Sequence, residues 1–317
     1  MILSKVLRGY KPLAVIEDRV VLGRGRRLYL ADLDLTSVRF IAALPSRTFS
    51  QRMSGLRMAD RILRLSISAL IAVSPDVAFA AIGSEIWKIN LGTGEVSLDF
   101  TIPDNRKVLA LSILQHEAVG GKSIAFGEYF MNRAGPTLRR DGEGPATSPI
   151  KIWFRPVDGA ADWRVFAQFP AHDIDHVHHV VASQDGSDIF VLMGDTGPGV
   201  GFWKWDADSA QLVPFQTGSQ ANRSTWALVG KDRLFYATDT QLEQNYLIES
   251  DRESGTSPRN IRLLRDHPFI RAKRWALPCF LPALNPVCRP VTGCKIYSSV
   301  APVRGSTARM SLFTGLI

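Results

Sequence analysis

Short runs of apolar and aromatic residues recur along the chain. They alternate with polar positions at a period of two and close on Asp, Asn or Gly, which is the pattern of β-strands joined by tight turns. Helical periodicity is scarce. Five segments resemble one another: Arg27–Asp32, Ile86–Asn90, Ile150–Phe154, Phe202–Asp206 and Tyr246–Asp251. Each reads as a strand rich in aromatic or branched residues that ends near a turn. The span from Ile86 to Ile102 shows this most plainly, as two strands joined across Gly92-Thr93-Gly94.

The segments lie about 45 to 65 residues apart, the range of one four-stranded propeller blade with its loops. One such unit cannot bury both faces alone, so the units must stack. Trp87, Trp153, Trp163, Trp203 and Trp205 fall on or beside them, where packing between blades would place aromatic residues. The predicted class is therefore all-β, a β-propeller of five or six blades over residues 1–266, complete or incomplete at its C-terminus; a β-sandwich or β-solenoid is the alternative. Residues Leu65 to Ile82 form the longest apolar stretch, but Ser74-Pro75-Asp76 divides it. It predicts a buried hairpin rather than a membrane span.

The chain has 317 residues, 45% hydrophobic and 21% charged, which predicts a packed core and not a disordered chain. The net charge of +8 points to an anionic partner until its location is considered. Residues 267–317 hold Arg271, Lys273, Arg274, Arg289, Lys295, Arg304 and Arg309 and no acidic residue; the body before them is nearly neutral. Nucleic acid is not an expected partner. All three cysteines, Cys279, Cys288 and Cys294, lie in the same tail without zinc-site spacing. The tail reads as an irregular, basic, Pro- and Cys-containing segment, or as a frame-shifted or truncated last blade. Met1 to Val21 lacks the apolar core of a signal peptide, so a cytoplasmic location is the expectation.

From Ser123 to Gly255 an ordered set of landmarks appears: Phe126-Gly-Glu-Tyr129, Asp158 with Trp163, His176-Val-His178, Gly194-Asp195, Gly218-Ser-Gln220 with Arg223, Ala237-Thr-Asp239 and Asn245-Tyr246. In this order the segment resembles bacterial and archaeal sialidase-like propellers with BNR (Asp-box) repeats. Pro156-Val-Asp158-Gly-Ala-Ala-Asp162-Trp163 keeps the Asp and Trp of an Asp-box and lacks its Ser, Gly and Thr, which implies a structural turn with no catalytic role for Asp158. The resemblance implies a carbohydrate-linked propeller, glycosyl hydrolase-like in fold. It does not carry over the sialidase catalytic set. Glu128 and Tyr129 are adjacent and point to opposite faces of a strand, and only Arg223 is well placed among the arginines.

Four segments are predicted to line the channel: Val108 to Leu114, Ser123 to Phe130, Val177 to Ser183 and Ser224 to Val229. His116, Glu128, Tyr129, His176, His178, His179 and Arg223 stand at or near their ends. A strand period of two places His176 and His178 on one face. With Glu128 or Asp195 they could hold a divalent metal, or they could serve only as channel hydrogen-bonding or packing residues. The catalytic candidates are Glu128, His176 and His178. Arg223, Gln220 and Tyr129 are the substrate-binding candidates, Arg223 as anion clamp, and Asn222 could add a sugar contact. Asp195 and Asp239 read better as turn or inter-blade residues. No cofactor beyond a possible metal is expected. The predicted ligand is a glycan or other small anion; the alternative is a non-catalytic protein-interaction scaffold.

Overall fold

The computed structural model describes residues 9–46, 66–132, 134–135, 148–158, 162–240, 243–255 and 259–264. Within them the backbone forms five antiparallel sheets in chain order. The first comprises β1 (Lys11–Ile16), β2 (Arg19–Arg24), β3 (Arg27–Asp32) and β4 (Val38–Ala43), and the second β5 (Ala69–Ala72), β6 (Val77–Ile82), β7 (Glu85–Asn90) and β8 (Val96–Thr101). The third contains β9 (Lys107–Val108), β10 (Ser112–His116), β11 (Gly121–Tyr129), β12 (Ile150–Pro156) and β13 (Arg164–Phe169). The fourth runs β14 (His176–Ala182), β15 (Ile189–Gly194), β16 (Gly201–Asp206), β17 (Gln211–Thr217), and the fifth β18 (Ser224–Val229), β19 (Arg233–Thr238), β20 (Asn245–Asp251), β21 (Arg259–Leu264).

Each sheet is a meander whose spatial order is its sequence order, apart from β9, which pairs with β11 beside β10. First strands meet first strands, β1 with β5, β10 with β14 and β14 with β18. Radial stacking of such meanders is a β-propeller. All five look-alike segments lie on the third strands, β3, β7, β12, β16 and β20. The hairpin predicted around Ser74-Pro75-Asp76 is β5–β6. The segment Ser123 to Phe130 was expected to line the channel; all of it but Phe130 lies in β11, a second strand, and the first-strand position in that sheet is shared by β9 and β10. Among the described residues no helix is long and apolar enough to cross a membrane. The tail from 267 onward lies outside the described residues.

The alternation of the second strands builds the core. In β15, Ile189, Val191 and Met193 pack toward the third sheet, while Phe190 and Leu192 pack toward the fifth. In β6, Ala78, Ala80 and Ile82 face the first sheet and Phe79 and Ala81 the third. A strand buried on both faces must be apolar at every position, which explains why these runs do not alternate with polar residues. Each fully buried Leu, Ile or Phe contributes roughly 1.5–3 kcal/mol.

The third strands end in a recurrent turn. Asp32 accepts from the Ser37 amide at 3.1 Å, Asn90 from those of Gly92 and Thr93 at 3.0 and 2.9 Å, Asp206 from Ser209 at 3.1 Å, and Asp251 from Ser254 at 2.8 Å. Short side-chain acceptors fold the chain back here and end the strand. Asp158 follows β12 at the corresponding place.

Buried arginines brace the sheets, between blades and within one. Arg26 lies 3.5 Å from Glu85, which also accepts from Trp87 Nε1 at 3.0 Å. Arg106 repeats the arrangement one blade on. It pairs with Glu128, whose carboxylate accepts from Trp153 Nε1 and the Lys151 amide, both at 2.9 Å. Between the fourth and fifth sheets, Arg252 donates to Asp188 at 2.7 Å, Asp185 at 2.8 Å and the Gly230 and Lys231 carbonyls. The expectation that Glu128 works in the channel beside the histidines is corrected here: both of its oxygens are taken up by a joint inside the third blade.

Candidate functional site

The site is built where β14 begins and β15 ends. β14 pairs antiparallel with β15, so His176 lies opposite Gly194, and the register shifts by one residue between Val177 and His179. His178 occupies this bulge, a device that re-aims a side chain. Its imidazole lies over Gly194, where a Cβ would stand 2.1 Å from His178 Cε1. Gly127 on β11 gives Val177 similar room, since a Cβ there would meet Val177 Cγ1 at 2.1 Å. The close approach of β11 to β14 sets the Tyr129 ring edge-on to His176, with centroids 4.3 Å apart.

The two imidazoles meet. Nε2 of His176 and Nε2 of His178 are 3.1 Å apart, while Nδ1 of His176 faces the Phe130 carbonyl at 3.2 Å and Nδ1 of His178 faces the Ser224 carbonyl at 2.9 Å. The Asp195 carboxylate completes the group, Oδ2 at 3.6 Å from His176 Nε2 and Oδ1 at 3.3 Å from His178 Nε2. Asp175 holds the turn carrying Asp195 by accepting from the Asp195 and Thr196 amides at 2.9 and 3.0 Å. From the fifth blade, Arg223 Nη2 donates to Asp195 Oδ1 at 2.7 Å and Gln220 Nε2 to the Asp195 carbonyl at 2.9 Å. Arg223 Nε and Gln220 Oε1 are buried with no partner among the described residues.

The site is largely enclosed. The side chains of His176, His178 and Arg223 are 7%, 3% and 11% exposed, whereas that of Asp195 is 30% exposed and forms the opening. Burial pushes His176 below the ordinary imidazole value, assisted by His178 and opposed by Asp195. For Asp195, burial acts to raise the carboxyl, but hydrogen bonding and charge from the two histidines prevail and hold it below the usual range. The neighbouring His179 is half-buried; desolvation lowers it to about 4, and its enclosed Nδ1 has no partner among the described residues.

Of the predicted site residues, Tyr129, His176, His178, Gln220 and Arg223 come together; Glu128 does not. His116 lies at the other end of its strand, with Nδ1 accepting from the Ala118 amide at 3.0 Å and Nε2 3.3 Å from the Ser187 carbonyl. Asn222 accepts from Tyr236 at 3.5 Å. Asp195, read from sequence as a turn residue, is the acid at the centre. A hairpin centred on Asp185-Gly186 pairs residues equally far from its turn, and that count was the available signal for placing Asp195 beside His176.

The fold and this cluster define a β-propeller with a polar site where inner strands begin. No family model and no curated protein matches the chain. Among solved structures, it is similar to an ancestral GH74 enzyme at 11% identity and a TM-score of 0.50, over 81% of this chain and 33% of that one. It is similar to a chain of the mitotic checkpoint complex at 12% identity and a TM-score of 0.50, over 80% and 65% of the two chains. An oligogalacturonate lyase from Vibrio parahaemolyticus follows at 11% identity and a TM-score of 0.49, over 81% and 66%. The chain thus spans about a third to two thirds of the length of these proteins. At such identities the likeness defines the propeller architecture alone.

Proposed function

We propose that this propeller binds an acidic glycan at the end of the channel where Tyr129, His176, His178, Asp195, Gln220 and Arg223 meet. The observation that carries the reading is the pair of unsatisfied buried atoms, Arg223 Nε and Gln220 Oε1, flanking an ion pair that opens to solvent. A buried polar atom without a partner costs about 1–3 kcal/mol, so a ligand supplying a carboxylate to Arg223 and a hydroxyl to Gln220 recovers that cost. Tyr129 offers the apolar ring against which a sugar face packs. This retains the sialidase-like resemblance as a ligand class only. Glu128, committed to Arg106, supplies no acid or base.

The test is calorimetric titration of the purified chain with sialic- and uronic-acid-containing oligosaccharides and their neutral counterparts. The acidic sugars should bind, and both neutralisation of the sugar and Arg223→Ala should weaken binding by at least about tenfold, the loss of one charge-assisted hydrogen bond. Equal affinity for acidic and neutral sugars would overturn the reading. A second reading, a protein-interaction scaffold, is favoured by the apolar side chains exposed on outer strands, Val38 and Phe40 of β4, Leu98 of β8, Val165 of β13, Val213 of β17 and Ile261 of β21. A reproducible protein partner lost in Phe40→Ser, with no glycan signal, would establish it.

A further inference from the structure

We infer that His176, His178 and Asp195 form a binding site for a divalent transition-metal ion of the zinc class. A carbonyl oxygen only accepts hydrogen bonds, so Nδ1 of each histidine, facing Phe130 O and Ser224 O, must carry the proton. In the neutral rings the lone pairs then reside on the two Nε2 atoms, which point at each other across 3.1 Å. The Asp195 carboxylate, also an acceptor, closes on them at 3.3 and 3.6 Å. Three electron-rich atoms brought within 4.8 Å of one another repel unless a cation lies among them.

The separations fit a metal. Bonds of about 2.0–2.1 Å in a tetrahedron place neighbouring ligand atoms about 3.3–3.4 Å apart, and the 3.1 Å between the two Nε2 atoms and the 3.6 Å from His176 Nε2 to Asp195 Oδ2 bracket that edge. An Nδ1–H donated to a carbonyl is also the outer-shell arrangement that fixes the tautomer of a metal-binding histidine. Arg223 engages Oδ1 and leaves Oδ2 for the ion. Two nitrogens and one carboxylate oxygen are three protein ligands, which leaves a fourth coordination position open. With the ion in place, the added charge beside Arg223 makes that position a receptor for an anion. The metal site itself stands on the imidazole geometry and does not depend on the glycan reading.

The test uses the full chain, stripped with a chelator and titrated with zinc and, separately, cobalt, with no sugar present. One equivalent should bind below micromolar, and cobalt should produce the visible absorption of a four-coordinate nitrogen–oxygen site. His176→Ala and His178→Ala should each weaken binding at least a hundredfold, while His172→Ala, at an exposed histidine beside Asp173, should leave stoichiometry and affinity unchanged. Absence of stoichiometric binding to the folded wild-type chain overturns the proposal and assigns the group to a proton shared by two imidazoles. Unchanged binding in His178→Ala overturns it as well. Should either histidine variant fail to fold, the wild-type cobalt spectrum decides, since a spectrum without the four-coordinate band refutes the site. Glycan binding that fails while zinc binds rejects only the function proposed above.

Discussion

Replacing Glu128 with alanine separates a structural carboxylate from a catalytic one. The side chains of Glu128 and Arg106 are 1% and 4% exposed, so neither charge is hydrated once the partner is gone. Removing one member of a buried ion pair costs about 3–5 kcal/mol, chiefly because the remaining charge stays buried. The substitution also strands Trp153 Nε1 and the Lys151 amide, which now donate to the same carboxylate. Arg106 retains the Ser148 and Pro149 carbonyls, which limits the penalty, so the expected loss is about 3–5 kcal/mol rather than the sum of all broken contacts. Against the roughly 5–15 kcal/mol of a typical domain this is a large fraction. Urea unfolding followed by tryptophan fluorescence and by circular dichroism should show the lower midpoint in both signals. Glu128→Gln, which keeps one oxygen for Trp153, should fall between the two. A Glu128→Ala protein within about 0.5 kcal/mol of wild type, the range of neutral surface changes, would refute the structural assignment.

Gly194→Ala drives a methyl group into the His178 ring and should destabilise the chain by about 1–3 kcal/mol and weaken any ligand of the histidine pair, checked by thermal unfolding and calorimetry. Gly127→Ala places its methyl against Val177 and should carry a similar stability cost, measured by the same unfolding assay. Arg252 governs an acid-sensitive joint. Its hydrogen bond, with others from Ser183 and Ser187, holds the Asp185 carboxyl below its ordinary 3.8. A folded value below the unfolded one means that the contribution is present above pH 3.8 and lost as pH falls below it. Urea midpoints at pH 5 and pH 3 should therefore drop less in Arg252→Ala than in wild type; an equal drop in both would count against the joint.

The fold was legible because a propeller repeats a local problem. Every third strand must end where the chain turns back, and the residues that solve this, Asp32, Asn90, Asp206 and Asp251, are recognisable without knowing what lies across the sheet. The hairpins β5–β6 and β7–β8 are local in the same sense. Assigning inner strands was harder, because β11 is continuous and apolar and reads like a strand lining the channel. The strand inside it is broken into β9 and β10, and only pairing across the sheet reveals this.

The site divides along the same line between local and distant information. His176 and His178 were brought together by strand period, yet the bulge at Val177–His179 and the missing side chain at Gly194 are what let their rings meet. Glu128 and Tyr129 show the limit most clearly. Alternation states that adjacent strand residues face opposite ways, but not which face holds the ligand. That choice is made by residues distant in sequence: Arg106 and Trp153 claim Glu128 on one side of β11, and His176 receives Tyr129 on the other. One dipeptide thus serves a blade joint with its carboxylate and the polar site with its ring. A buried cation must have an anion, so the pairing of Arg106 with Glu128 separates the two roles, and only tertiary contacts make that pairing.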